Sequence, residues 1–181
     1  MTGIYVYKLT DQNMQTYTGC KWVLGEGKTT SGEGELCGPG WLHCYSNPLL
    51  SVLLNPIHAD YENPRLFRAH VGGTSKPDHG LKSGYTQMTL IEEIPVPAIS
   101  TEQRVRFAIL CAMKVYLNPG FVQWGENWLS GKDRSAEAAA RAAWAAEAAW
   151  AAWAAWAAAE AAAEAEIDLI SIAHEAVDRD H

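Results

Sequence analysis

At 181 residues, with 14 Lys and Arg against 21 Asp and Glu, the chain has the length of one domain, or one domain plus an appendage, and a formal net charge of −7. That balance argues against nucleic acid held by bulk electrostatics, because no basic stripe exists to displace counterions. Hydrophobic residues reach 48%, yet alanine in one C-terminal run supplies much of this and buries little area, so the core must come from the N-terminal part.

In chain order, Ile4–Lys8 (IYVYK) alternates and is rich in β-formers, which predicts a first strand. Thr10 to Gly34 reads as turns around short strands such as Cys20–Leu24. Gly38-Pro39-Gly40 predicts a hairpin turn between Glu35–Cys37 and Trp41–Tyr45. Asn47 caps a short helix begun by Pro48 and stopped by Pro56. Leu66–Val71 and Thr86–Ile94 are further strands, and the polar, glycine-rich Gly72–Gly84 between them reads as a loop. Ser100 and Gln103 form a capping box. It opens a helix with Val105, Ala108, Ile109, Ala112 and Tyr116 on one face. Asn118-Pro119-Gly120 ends that helix, and Phe121, Trp124, Trp128 and Leu129 share one side of a shorter one. Strands first and helices last gives an α+β fold: a small mixed or antiparallel sheet domain, then helices, then one long Ala/Trp-rich C-terminal helix. The expected divisions are 1–98 for the α+β domain, 99–132 for a helical connector packed on it, and 133–181 for the long helix.

No Gly or Pro interrupts the stretch from Asp133 to about Asp178, which as one helix would measure about 70 Å. Between Arg141 and Trp156 a large residue falls at every third position: Arg141, Trp144, Glu147, Trp150, Trp153 and Trp156. Three steps of ~100° make the ridge slip back by ~60° each time, so the indoles spread around the surface. Each tryptophan can bury ~150–250 Å², and four left exposed would form a patch that monomers avoid. Trp144, Trp150, Trp153 and Trp156 are therefore the candidate partner-binding residues. The segment either folds back, pairs with a second copy, or meets a foreign protein. A spacer expanded by repeat slippage is the bland alternative.

Four cysteines in no tight framework predict reduced thiols, and neither a leader nor an 18-residue apolar window appears, so a soluble, unexported protein is expected. Zinc would draw on Cys37, His43 and Cys44 with Cys20 or His70, but the spacing matches no C-x2-C pair, and no metal is expected. Cys44 beside His43 fails as a nucleophile and base, because adjacent strand residues face opposite ways. Cys111 reads as core. Glu92 and Glu93 with His43, Tyr45, Tyr5 or Tyr7 would line a cleft and divide acid and base roles; the alternative is a strand end with one solvated and one ion-paired acid. His58 and His79 read as surface turn residues. Arg65 and Arg68 would hold an anion or lie on a solvated edge. No P-loop, GxGxxG, HExxH or GxSxG motif occurs, so no catalytic residue and no cofactor is assigned.

YVYK, GELCGPGWLHC, LIEEIPVP, TEQRVRFAILCA and WLSGKDRSA, followed by an alanine run, resemble a family of small proteins of tailed phages and prophages, over about residues 4–140. That family tends to carry a C…G-F-H-x-C element, matched by Cys37, Gly40, Trp41, His43 and Cys44, with Trp41-Leu42 in place of Phe. The resemblance implies a phage source and the host cytoplasm, and supplies no activity. A second resemblance, to the ADP-ribosyltransferase fold, maps Tyr7-Lys8, His43-Cys44-Tyr45 and Glu92 or Glu93 around a nicotinamide. The expected function is a phage-encoded, non-enzymatic interaction protein, with inhibition of a host defence protein as its biological role. Its expected partner is a host or phage protein, or a second copy through the C-terminal helix; neither membrane nor nucleic acid is expected. Two alternatives stay open. One is a nucleotide- or NAD-using enzyme, with His43, Tyr45, Glu92 and Glu93 as its site; the other is a structural virion component.

Overall fold

Period-two alternation sets the first strand in the computed structural model, which describes residues 5–16, 19–135, 137, 138, 140 and 167–178. The elements of the first unit, Met1–Ala98, are β1 (Tyr5–Thr10), β2 (Gln15–Thr16), β3 (Cys20–Lys21), β4 (Gly27–Thr29), β5 (Leu42–Cys44), α1 (Pro48–Leu53), α2 (Asn55–His58), β6 (Arg65–Asp78) and β7 (Lys82–Ile94). The second unit, Ile99–His181, contains α3 (Thr101–Val115), α4 (Pro119–Leu129) and α5 (Leu169–Asp178). The fold is α+β.

β1 pairs antiparallel with β6, Tyr5 opposite His70 and Thr10 opposite Arg65. β6 turns back into β7, whose other edge takes two short strands: β4 at Gln87–Thr89 and β5 at Ser83–Tyr85. Just past β5, Tyr45 exchanges both backbone hydrogen bonds with Tyr7, at 2.8 Å each way. The path β1–β6–β7–β5 thus returns to β1. Inside it lie Val6, Trp22, Leu42, Cys44, Phe67, Ala69, Met88 and Leu90. Burying these apolar side chains is the main favourable term available to the unit.

Three local expectations are corrected. The hairpin expected between Glu35–Cys37 and Trp41–Tyr45 does not form. Glu35 to Gly38 makes a turn, with Gly38 N–H donating to the Glu35 carbonyl at 2.8 Å, and β5 pairs with β7 instead. Gly84 permits this: a Cβ there would stand 2.6 Å from Leu36 Cδ1 and 2.9 Å from Trp41 Cβ, so glycine lets that segment lie flat on β7. The expected Gly72–Gly84 loop is strand up to Asp78 and again from Lys82. A register shift near Gly72 absorbs the irregularity, and His79 and Gly80, both at positive φ, make a tight turn closed by Leu81 N–H to Asp78 O at 2.7 Å. Strand beyond Lys21 is also absent; Cys20–Leu24 contributes only β3.

Asn47 caps α1 through Leu49 N–H at 2.8 Å, and Pro56 falls in the first turn of α2 rather than merely ending a helix. In the second unit the capping box is present in both directions, Gln103 N–H to Ser100 Oγ at 3.1 Å and Ser100 N–H to Gln103 Oε1 at 2.8 Å. Asn118 caps α4. Ile109, Trp124, Trp128 and Ala138 form a buried cluster. Gly125 lets α4 approach α3, since a Cβ there would meet Met113 Sδ at 2.8 Å.

A single helix from Asp133 to Asp178 is also corrected. Ile167 and Asp168 are not helical, and Asp168 accepts hydrogen bonds from Ser171 N–H at 3.0 Å and Ser171 Oγ at 2.6 Å, starting α5 afresh. α5 then packs on α3, where Gln103 Nε2 donates to the Val177 carbonyl at 3.0 Å. Trp144, Trp150, Trp153 and Trp156 lie outside the described residues. Among those described, no helix is long and apolar enough to cross a membrane.

Candidate ligand-binding cavity

The strand alternation that buries Val6 buries Lys8 as well, two positions on. Lys8 is 7% exposed and contributes to the wall of a cavity of about 380 Å³ in the first unit. The rest of the wall comes from Trp22 after β3, the 37–43 segment with Trp41 and His43, Tyr45, His58 at the end of α2, and Lys82 at the start of β7. Among the described residues no Asp or Glu lines it.

The Lys8 ammonium donates one hydrogen bond, to the His43 carbonyl at 2.6 Å, and stands 5.4 Å from the centre of the Trp22 ring. Among the described residues no carboxylate pairs with it. Burial lowers its pKa from 10.5 to about 8, opposed by the nearby Cys44 and Cys20 thiols. At neutral pH it is therefore mostly charged, in a place where charge is poorly solvated. Lys82 is better supplied. Its Nζ lies 3.9 Å from Asp78 Oδ2 and donates to Cys37 Sγ at 3.2 Å.

The neutral groups are held neutral. Burial drives His58 down to about 4, so its imidazole is uncharged, and its Nδ1 shares a hydrogen bond with the Tyr45 hydroxyl 3.0 Å away. Burial likewise pushes the Tyr45 phenol up and the Cys44 thiol up to about 12. His43 is lowered, first by burial, and its Nε2 donates to the Leu36 carbonyl, which ties the ring to the 36–41 turn. Thr30 Oγ1, also on the wall, is buried without a hydrogen-bond partner among the described residues. The cavity thus presents one unpaired ammonium, a paired one, an unsatisfied hydroxyl and a phenol–imidazole couple between indole walls. Such a set suits an anion of small-molecule size.

Of the sequence-derived site residues, His43 and Tyr45 line this cavity, while Glu92 and Glu93 do not. Glu93 receives two hydrogen bonds from Arg65, Nε at 2.9 Å and Nη2 at 2.6 Å, which hold its carboxyl below the usual range. Glu92 pairs with Arg68 at 2.7 Å. Both acids are thus ion-paired, and both arginines hold carboxylates of their own chain. His58, expected at the surface, is instead half-buried against Tyr45 because α2 continues past Pro56. Cys44 turns into the core and Cys111 is buried in α3. Among the described residues no group of His, Cys, Asp or Glu is placed to hold a metal. Sequence reasoning missed Lys8 as the cavity's charge. The available signal was a lysine on the same strand face as Val6. No family model, curated protein or solved structure matches the chain.

Proposed function

We propose that this chain is a non-enzymatic binding protein whose first unit takes a small anionic ligand in the cavity, while the tryptophan-bearing segment offers a surface to a partner protein or a second copy. One observation carries the ligand reading: among the described residues, Lys8 is buried without a counter-ion, in a cavity whose wall contains no acid. A buried charge is costly unless paired, so the missing partner is best supplied from outside. The nucleotide-enzyme reading asks for a glutamate beside the ligand, and neither Glu92 nor Glu93 lines the cavity, which is why binding is preferred. A phage source, the host cytoplasm and a defence protein as target rest on the sequence resemblance alone.

Calorimetry and thermal melts of the full chain with phosphate, small mono- and dicarboxylates and mononucleotides test the ligand reading. At least one class should bind to the wild type and lose binding in Lys8→Met; silence across the whole panel would remove the reading. For the tryptophans, sedimentation of the triple variant Trp150→Ala, Trp153→Ala, Trp156→Ala should show a smaller species than the wild type. Identical sedimentation would assign those side chains no role in self-association.

A further inference from the structure

We infer that Lys8 is a covalent attachment point, holding a small 2-oxo acid as an imine inside the cavity. This rests on the anion-binding reading above and adds a bond to it. A lysine paired with a carboxylate is locked as the ammonium, whereas among the described residues Lys8 has no carboxylate, but the His43 carbonyl at 2.6 Å and the Trp22 ring beside it. Its lowered pKa of about 8 leaves roughly one molecule in ten with a free lone pair at pH 7. A desolvated lysine of this kind adds to carbonyl carbon.

The atoms balance without an oxidant. The Nζ lone pair forms the N–C bond while the ligand's C=O oxygen takes a proton, giving a carbinolamine. Nitrogen then drives out that oxygen as water, leaving a protonated imine. The overall change is amine plus ketone plus one proton to iminium plus water. Tyr45, hydrogen-bonded to His58 Nδ1 at 3.0 Å, puts a neutral phenol on the same wall, able to hydrogen-bond the carbinolamine oxygen. The resting ammonium and the final iminium each carry one positive charge on Nζ, so the adduct buries no more charge than the ligand-free protein. The adjoining carboxylate of a 2-oxo acid answers the rest of the wall: the Lys82 ammonium and the unsatisfied Thr30 hydroxyl. A plain aldehyde would offer no anion to Lys82 and no acceptor to Thr30.

Incubating the full-length protein with pyruvate and sodium cyanoborohydride, followed by intact mass and peptide mapping, tests this. One adduct per chain should form on the Lys8 peptide, at least ~tenfold faster than on any of the six other lysines. Lys8→Arg should still be stabilised by pyruvate, because it keeps the charge, yet trap nothing at position 8. Pyruvate-dependent stabilisation of the wild type without trapping overturns the imine and leaves the anion reading standing. Neither stabilisation nor trapping overturns the imine, and the wider ligand panel then decides the anion reading by itself. Labelling of Lys8 no faster than of Lys21 or Lys28 also overturns the imine, and the wild-type map decides even if a variant fails to fold.

Discussion

Arg68 and Lys8 stand one step apart in the β1–β6 register, Arg68 opposite Tyr7 and Lys8 opposite Phe67, yet they meet opposite fates. Arg68 faces the side opposite Lys8, where Glu92 answers it at 2.7 Å. Arg65 alternates onto the Lys8 side but stands partly exposed at the first position of β6, where Glu93 answers it at 2.6 Å. Lys8 is buried beside Trp22, and among the described residues no carboxylate pairs with it. Strand parity separates Arg68 from Lys8. The outer pairs are half-exposed and screened, so they add little to stability. The inner cation is unscreened, and its burial opposes folding. A sheet can tolerate that cost where the cation serves a ligand, as perturbed groups in cavities commonly do.

The sharpest way to break this comparison is to remove the inner charge. A fall of about 2.5 pKa units corresponds to about 3 kcal/mol of differential interaction, so Lys8→Met should raise unfolding stability at pH 7 by up to about 3 kcal/mol, measured by urea denaturation. The same variant should lose anion binding by about a hundredfold or more, the usual range for a buried charged contact. Gain of stability together with loss of binding marks a functional charge. Loss of both would mark Lys8 as structural.

Next in size is the acid side. His58 in the folded state titrates near 4 against 6.5 unfolded, so between these values the unfolded chain holds the extra proton and stability falls on acidification. From pH 7 to 5 that amounts to about 2 kcal/mol, with His43 acting in the same sense. His58→Gln keeps a partner for Tyr45 and should flatten this slope. An unchanged slope would mean that His58 is not buried as described.

On the alkaline side the Lys8 effect is smaller because other groups intrude. Its folded value of about 8 lies below 10.5, so stability rises with pH as the folded state sheds its proton first. Cys44, pushed from 9.0 to about 12, works the other way above pH 9, where the unfolded thiol ionises and the folded one does not. Cys111, buried likewise, acts as Cys44 does, so the Lys8 contribution is read as a difference. Between pH 8 and 9 wild-type stability should gain about 1 kcal/mol relative to Lys8→Met, and equal slopes in the two would remove the effect.

Legibility followed the range of the interactions. The Ser100–Gln103 box and the Asn47 cap were readable because both partners lie within three residues. Lys8 was readable as a lysine on an apolar strand face, but its lack of a counter-ion is a property of the assembled wall. The Tyr7–Tyr45 bridge, which returns β5 to β1 and brings His43 and Tyr45 beside Lys8, spans 38 residues and leaves no local mark. Polar, glycine-rich composition misled at Gly72–Gly84, because strands exposed to solvent are polar too, and a register shift with a tight His79-Gly80 turn carries them through. Glu92 and Glu93 misled because each is taken by an arginine of β6, a cross-strand pairing that adjacency in sequence does not reveal.

The smallest expected effect is the control that sharpens the contrast. Replacing both acids, Glu92→Gln with Glu93→Gln, frees two solvent-accessible arginines of β6. If parity governs, the freed guanidiniums pass to water, the melting temperature moves by no more than ~2 °C, and anion affinity at the cavity stays as in the wild type. Two uncovered arginines also raise the positive field of the unit, so a general attraction for anions would appear as tighter, strongly salt-dependent binding. Binding that instead ignores this change and still depends wholly on Lys8 places recognition in the dry interior. Were the double variant to bind anions better and Lys8→Met to bind them equally well, the arginine face would be the anion site, and the cavity would be packing left incomplete around a costly lysine.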